Sequence, residues 1–390
     1  MEFASALSEE EDPERALRAA IDGLRERLGG GEPDWLVCFA SPAHTARAGD
    51  ISRRLRAAFP RAALVGCTAR SVIGGGRELD GGAGLALFGA RLPGSSVRAF
   101  HLAPDAIAAL CGDPRGVAST IGLEPAAARS LLLLADPWSA DVESLLHGLD
   151  ALLPDAAKVG GLASGGDGPG SEALFAGDVV RADGVVGLAL DGALGVDAIV
   201  AQGCRPIGQP MFATRCHGRV LEEVDGRRPL DVLNELYAAA DPHERALLRH
   251  SLLIGLEMRP ERERYGRGDF LMRNLTGIDT ETGSLEIAAL LRERQIVQLH
   301  VRDARSAHAD LAERFARYGR AGDARGALLF SCLGRGRALY GAPDHDSDAF
   351  RDQVAPVPIG GFFGNGEIGP VEGRSFLHAY TSAFAVFRAV

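Results

Sequence analysis

The chain has 390 residues, 46% hydrophobic and 24% charged, the balance of a soluble globular protein whose core needs neither metal nor disulfide. Its formal net charge is −10 and it carries no basic block, which argues against nucleic acid and membrane surfaces as partners. Six cysteines without a C-x-x-C pair and ten histidines without metal spacing exclude a recognisable zinc site and predict reduced thiols.

Residues 1–33 are acidic, then helix-like, and read as an N-terminal helical segment. They lack the basic start and apolar stretch of a signal peptide. No apolar run reaches the length of a bilayer span, so the expectation is a cytoplasmic protein. "DWLVCFA" (34–40) is apolar without helical period and predicts a buried strand. A helix follows over 49–60, then a strand ending near Gly66-Cys67, a glycine-rich turn and another apolar strand to residue 90. The order returns with "SLLLLAD" (130–136), a helix over 141–154, and a strand, glycine turn and strand over 156–192.

Residues 195–226 alternate polar and apolar and predict antiparallel strands. Residues 229–258 read as helix and then strand, 268–291 as a hairpin turning at Asp279–Gly283, and 306–319 as an amphipathic helix. The module then appears a third time: strand "GALLFSC" (326–332), helix 344–355, "VPIGGFFGNGEIG" (357–369) and a last strand over 375–387. Three copies of strand–helix–strand–turn–strand predict an α/β fold, with mixed sheets covered by helices and a four-layer α-β-β-α sandwich as the simplest packing. Pro229 opens a helix where the first two copies have ended, so the boundaries are set at 34–228 and 229–390.

"GNGEIG" (364–369) matches G-x-G-x-x-G, but Pro370 and a strand follow where a dinucleotide site needs a helix. The plain reading is a hairpin in which Asn365 and Gly366 take positive φ. Glu367 is not needed for such a turn and is a candidate partner for a ligand's ammonium or guanidinium group. In "SCLGRGR" (331–337) Cys332 ends a strand, and Arg335 and Arg337 are candidate forks for a carboxylate, a phosphate or Glu367 itself. Cys67 and Thr68 hold the corresponding strand end of the first copy. No histidine lies near Cys332 in sequence to serve as its base, and no catalytic constellation is assigned, with a cysteine-dependent enzyme kept as an alternative. His378 and Thr381 fall in "FLHAYT" (376–381), read as part of the last strand with the two on opposite faces.

Taken together, "VGCTA", "GGGRE", "GCRPIG", "GDFLMRNLTGID", "FSCLGRG", "GGFFGNGEIGP" and "FLHAYT" resemble the FIST family, N-terminal domain first, over nearly the whole chain from residue 34. The resemblance implies an intracellular sensory module for a small ligand, with amino acids the suggested class. It implies signalling through a separate partner such as a histidine kinase, since no output segment is recognised. Its C-terminal motifs carry over to Cys332, Arg335, Gly336, Gly361, Gly366, Glu367, His378 and Thr381. The expected cofactor is none; the alternative, from haem-containing nitric-oxide-sensing relatives, is haem on a single histidine. Arg335 or Arg337 and Glu367 are expected to converge on one pocket and hold the two charges of a zwitterion, with the glycine turn closing over it.

Overall fold

The computed structural model describes residues 1–110, 112–121, 130–260, 262–319 and 321–390; Cys111 lies outside them. The first module runs β1 (Glu2–Ser8), α1 (Pro13–Arg27), β2 (Trp35–Ala40), α2 (Ala48–Ala58), β3 (Ala63–Thr68), β4 (Ser71–Gly74), β5 (Arg77–Leu79) and β6 (Leu85–Arg91). The helical segment expected at the N-terminus thus begins with a strand, paired antiparallel to β6 along its length. The helix itself starts where Asp12 accepts the Arg15 N–H and Pro13 supplies a fixed φ, and it buries Leu17, Ile21 and Leu24.

The second module runs β7 (Ser95–Leu102), α3 (Pro104–Ala109), α4 (Pro114–Ile121), β8 (Ser130–Ala135), α5 (Val142–Leu152), β9 (Ala157–Leu162), β10 (Leu174–Ala176), β11 (Val179–Arg181) and β12 (Val185–Gly192). The third begins with β13 (Leu194–Ala201) and is interrupted by β14 (Cys204–His217), β15 (Val220–Val224), α6 (Pro229–Ala239), α7 (Pro242–His250), β16 (Leu252–Glu257), β17 (Phe270–Ile278), β18 (Leu285–Ile287) and β19 (Ile296–Arg302). It resumes with α8 (Ala304–Arg317), β20 (Ala324–Cys332), α9 (Arg337–Tyr340), α10 (His345–Gln353), β21 (Ile359–Gly364), β22 (Glu367–Val371), β23 (Arg374–His378) and β24 (Ser382–Ala389).

Each module contributes one parallel pair, β2–β3, β8–β9 or β20–β21, flanked by an antiparallel strand, β6, β12 or β24. The strands after each glycine turn do not return to their own sheet. β4 joins β21 of the third sheet, β10 joins β3 of the first, and β22 joins β9 of the second. The result is three six-stranded mixed sheets that exchange strands in a ring. Their inner faces share one core that includes Trp35, Phe39, Phe88, Leu132, Leu188, Phe330, Phe362 and Phe387. Helices cover the outer faces, α1 and α2 over the first sheet and α5 over the second. On the third sheet, Phe315 of α8 and Phe350 of α10 meet Phe384. The expected α/β class with helix-covered mixed sheets is what the chain adopts.

The parallel pair of each module explains one glycine. Gly66, Gly160 and Gly361 occupy the same place in β3, β9 and β21, opposite Cys38, Leu133 and Leu329. A Cβ there would lie 2.0, 1.8 and 1.9 Å from those residues' carbonyl oxygens. The segments that leave each sheet then meet one another. Ser164 N–H donates to Thr68 O and Asn365 N–H donates to Leu162 O, each at 3.2 Å. The third link of this ring is made through a side chain: Ser164 Oγ accepts the Arg70 N–H at 3.1 Å and donates to Phe363 O at 2.5 Å.

Two expectations are corrected here. The stretch 359–370 is no hairpin, because β21 and β22 belong to different sheets, and neither Asn365 nor Gly366 takes positive φ. Nor are His378 and Thr381 on one strand: His378 ends β23, and Tyr380, at φ 65°, turns the chain before β24.

The chain divides into two compact units, Met1–Val200 with Ala312–Leu377 and Thr381–Val390, and Ala201–Leu311 with His378–Tyr380. The first is the three-sheet body. The second is built on a closed barrel in the order β14-β15-β18-β17-β16-β19, filled by residues such as Leu221, Ile254, Leu256, Ile287 and Val297.

Candidate ligand-binding site

The carboxyl ends of β20 and β21 carry most of the residues singled out from sequence. Cys332, half-buried at the end of β20, donates its N–H to Thr381 O at 3.0 Å and accepts the Arg335 N–H at 2.9 Å. The turn needs Gly336 at φ 59°, and Asp80 caps it by accepting the Arg337 N–H at 2.7 Å.

Arg335 is 0% exposed. Its Nε donates to Asp346 Oδ2 at 2.9 Å, and its Nη2 to the Tyr340 hydroxyl at 2.6 Å and to Asp346 Oδ1 at 3.3 Å. Asp346, in the first turn of α10, also takes the Ser382 hydroxyl and His345 Nδ1, the latter at 2.9 Å. The His345 ring stacks on Tyr340, centroids 3.5 Å apart and planes 11° apart. Burial works against the charges of this pair, but each ion stabilises the other. The Asp346 carboxyl is therefore held well below its usual range and the Arg335 guanidinium rises. Arg335 is thus an internal brace, its fork taken by a carboxylate of the chain itself. Arg337 is exposed.

Glu78 reaches the same place from β5 of the first module. Its Oε1 accepts the Ser347 N–H and hydroxyl at 2.7 and 2.8 Å. Burial, and then the charge of Asp346, push its pKa up to about 8, against the pull of the two Ser347 donors. Burial also lifts the Tyr340 phenol, against the attraction of Arg335.

Glu367 opens β22, fully buried, and accepts the Thr381 N–H on Oε2 at 3.1 Å. Through Thr381 and Cys332 it is joined to the turn that carries Arg335. The link is made by main-chain groups, while the Arg335 guanidinium itself is turned to Asp346 and Tyr340. In the register of the exchanged strands, Glu367 faces Gly161 as Leu174 faces Cys67 and Val72 faces Phe362. The third module has a carboxylate where the other two have apolar side chains.

The remaining candidates lie elsewhere or are structural. Gly361 and Gly366 are buried, and the segment between them is a packed crossover, so it is no loop free to close. Asn365 Nδ2 ties that crossover to Ala163 O at 2.9 Å. Cys67 is fully buried, and burial, with the charge of Glu172, pushes its thiol well up. Thr68 donates to Glu172 at 2.7 Å and accepts the Ala173 N–H at 2.9 Å. His378 falls in the second unit and is 2% exposed. Sequence reading missed Glu78, Tyr340, His345, Asp346 and Ser382. The acidic "DHDSD" at the start of α10 was the available signal.

The FIST N domain pattern matches residues 34–227 and the FIST C domain pattern residues 229–370. The chain belongs to the FIST family. FIST domains are associated with sensory signalling. An uncharacterized protein of Mycobacterium tuberculosis (strain H37Rv) is 37% identical over 389 residues, 99% of this chain and 100% of that one. An uncharacterized protein of Mycobacterium bovis is 36% identical over 378 residues, 96% of each chain. Among solved structures, the cyanuric acid hydrolase from A. caulinodans aligns over 100% of this FIST chain and 99% of its own at 12% identity, with a TM-score of 0.33, too low to bear on fold or activity.

Proposed function

We propose that this FIST protein is a cytoplasmic sensor that binds a small ligand, an amino acid being the best-matched class, at the end of the third sheet. Binding is passed to a separate signalling partner, a histidine kinase being one such class. The observation that carries the reading is Glu367, a buried carboxylate at a position that Val72 and Leu174 fill in the other modules. Burying a carboxylate is costly and the fold does not require one there, since its two counterparts are apolar. Half-buried Cys332 is linked to it through Thr381, and the turn after Cys332 carries exposed Arg337 and leads to Tyr340, which stacks on His345. Arg337 suits the ligand's acidic group and the Glu367–Thr381 end its ammonium. The role proposed is binding without turnover; the sealed Cys67 thiol, its pKa raised by burial, is unsuited to act as a nucleophile.

Native mass spectrometry of the purified protein, alone and after incubation with pooled amino acids, tests this. The expected result is an added mass of amino-acid size in the wild type that is lost in Glu367→Leu. A protein that retains only its own mass, or a Soret absorption band after haem supplementation, contradicts it.

A further inference from the structure

In the three-sheet body, away from the Cys332–Glu367 cluster, a cleft of about 510 Å³ opens between the start of β3, the turn after β10 and the outer edge of β7. That volume suits a small metabolite. Its floor includes Leu64 and Phe100, both buried, and three arginines stand on its walls: Arg56 from the last turn of α2, Arg61 just before β3, and Arg98 from β7.

The three differ in what they are already doing. Arg61 is held by Glu32, with Nε to Oε2 at 2.7 Å. Arg56 gives one N–H to Ala62 O at 2.9 Å and, among the described residues, faces no carboxylate partner. The Arg98 side chain makes neither a hydrogen bond nor an ion pair among the described residues, while its main chain lies in the ladder opposite Ala189. Of the acids at the cleft, Asp34 receives the Leu92 N–H, which leaves Asp178 on the β10–β11 turn, exposed and with no side-chain partner among the described residues. β7 is the last strand of its sheet, so its outer main-chain groups are open to a ligand.

Two guanidinium groups without a carboxylate partner among the described residues, over an apolar floor and with one acceptor opposite, select a definite chemistry. Guanidinium binds carboxylate and phosphate oxygens through paired N–H donors. The acceptor suits a hydroxyl or amine at the other end of the molecule. We infer that this cleft is a second ligand site, which takes a small metabolite bearing a phosphate or carboxylate group and holds its anionic end between Arg56 and Arg98. The inference does not rest on the reading of the Glu367 site.

Isothermal titration of the full-length protein with inorganic phosphate, pyrophosphate and succinate, at constant ionic strength made up with chloride, tests it. The expected result is saturable binding of at least one probe, with phosphate against succinate showing which oxyanion the site prefers. Arg56→Ala and Arg98→Ala should each raise Kd about tenfold or more, the loss of a charge-assisted contact. Arg53→Ala, on the same helix but paired with Asp50, should leave Kd unchanged, as should Glu367→Gln. Because Arg56 and Arg98 are exposed, their removal leaves the core intact, and circular dichroism verifies it. Absence of saturable binding for all three probes overturns the inference. So does wild-type affinity in the Arg56→Ala/Arg98→Ala double variant.

Discussion

Glu367 and Leu174 occupy the same position in two copies of one module: each begins the exchanged strand, one opposite Gly161 and the other opposite Cys67. One is an acid and the other a hydrocarbon, both 0% exposed. Repetition makes the difference informative, because the fold supplies its own control for what packing alone demands at that place. Glu367→Gln keeps an oxygen for the Thr381 N–H and removes the charge. It should change stability by about 1 kcal/mol or less, the scale of one neutral hydrogen bond, while weakening binding of a cationic ligand group about tenfold or more. Chemical denaturation measures the first and calorimetry the second.

The glycines of the crossing strands are read here as steric necessities rather than ligand contacts. Gly160→Ala and Gly361→Ala should each cost about 3 kcal/mol or more, because the added Cβ meets a backbone carbonyl that cannot move aside. Gly168→Ala meets nothing within 4 Å and should be close to neutral. Urea midpoints of the three variants check this.

Arg335 and Asp346 form a buried pair whose halves depend on each other. Asp346→Leu or Arg335→Met alone should destabilise by about 3–5 kcal/mol, since each leaves an uncompensated buried charge. The double variant Arg335→Met/Asp346→Leu should recover a large part of that loss, and a double-mutant cycle reads the coupling directly.

Glu78 gives the protein a pH signature. Its folded pKa, about 8, lies above the value of an unfolded glutamate, so the native state holds a proton that the unfolded chain releases. Its contribution is fully present below about pH 4.5 and is lost as pH rises through 8. Asp346, with its pKa lowered, acts in the opposite sense and loses its contribution only in acid. Thermal unfolding should therefore show stability falling between about pH 5 and 8, with a shallower fall in Glu78→Gln. An identical slope in the two proteins contradicts the assignment.

The modules were legible because short apolar strands, amphipathic helices and glycine turns recur in the same order around Gly66, Gly160 and Gly361. The strand exchange was not, because hydrophobic pattern fixes which residues are buried and not which sheet receives them. That is why "GGFFGNGEIG" reads as a hairpin although β21 and β22 part company at Asn365. The strand β1 was hidden for a related reason: "FASALS" is short, rich in alanine, and adjoins a strong helix. At the candidate site, Glu367 could be named from the sequence as the one acid in a glycine-rich stretch, and Cys332 because it ends a strand beside two arginines. Glu78 and Asp346 lie far apart in sequence and meet only through the exchanged β4–β5 hairpin, so nothing local announces them.

The lone lysine was visible in composition, though its role was not. Every other basic side chain among the Lys and Arg residues is arginine, yet Lys158 is 1% exposed and its ammonium lies 2.9 Å from Asp150 Oδ1, with Leu153 O as a further acceptor. A compact ammonium fits where a planar guanidinium does not. Lys158→Arg should destabilise by about 1–3 kcal/mol through overpacking, measured by urea denaturation.

Calorimetric titration of the standard amino acids into the wild type and into Glu367→Leu tests the functional account most directly. At least one amino acid should bind the wild type saturably with one-to-one stoichiometry and fail to bind the variant, while both proteins melt cooperatively. Binding of equal affinity to both, or to neither, would contradict it.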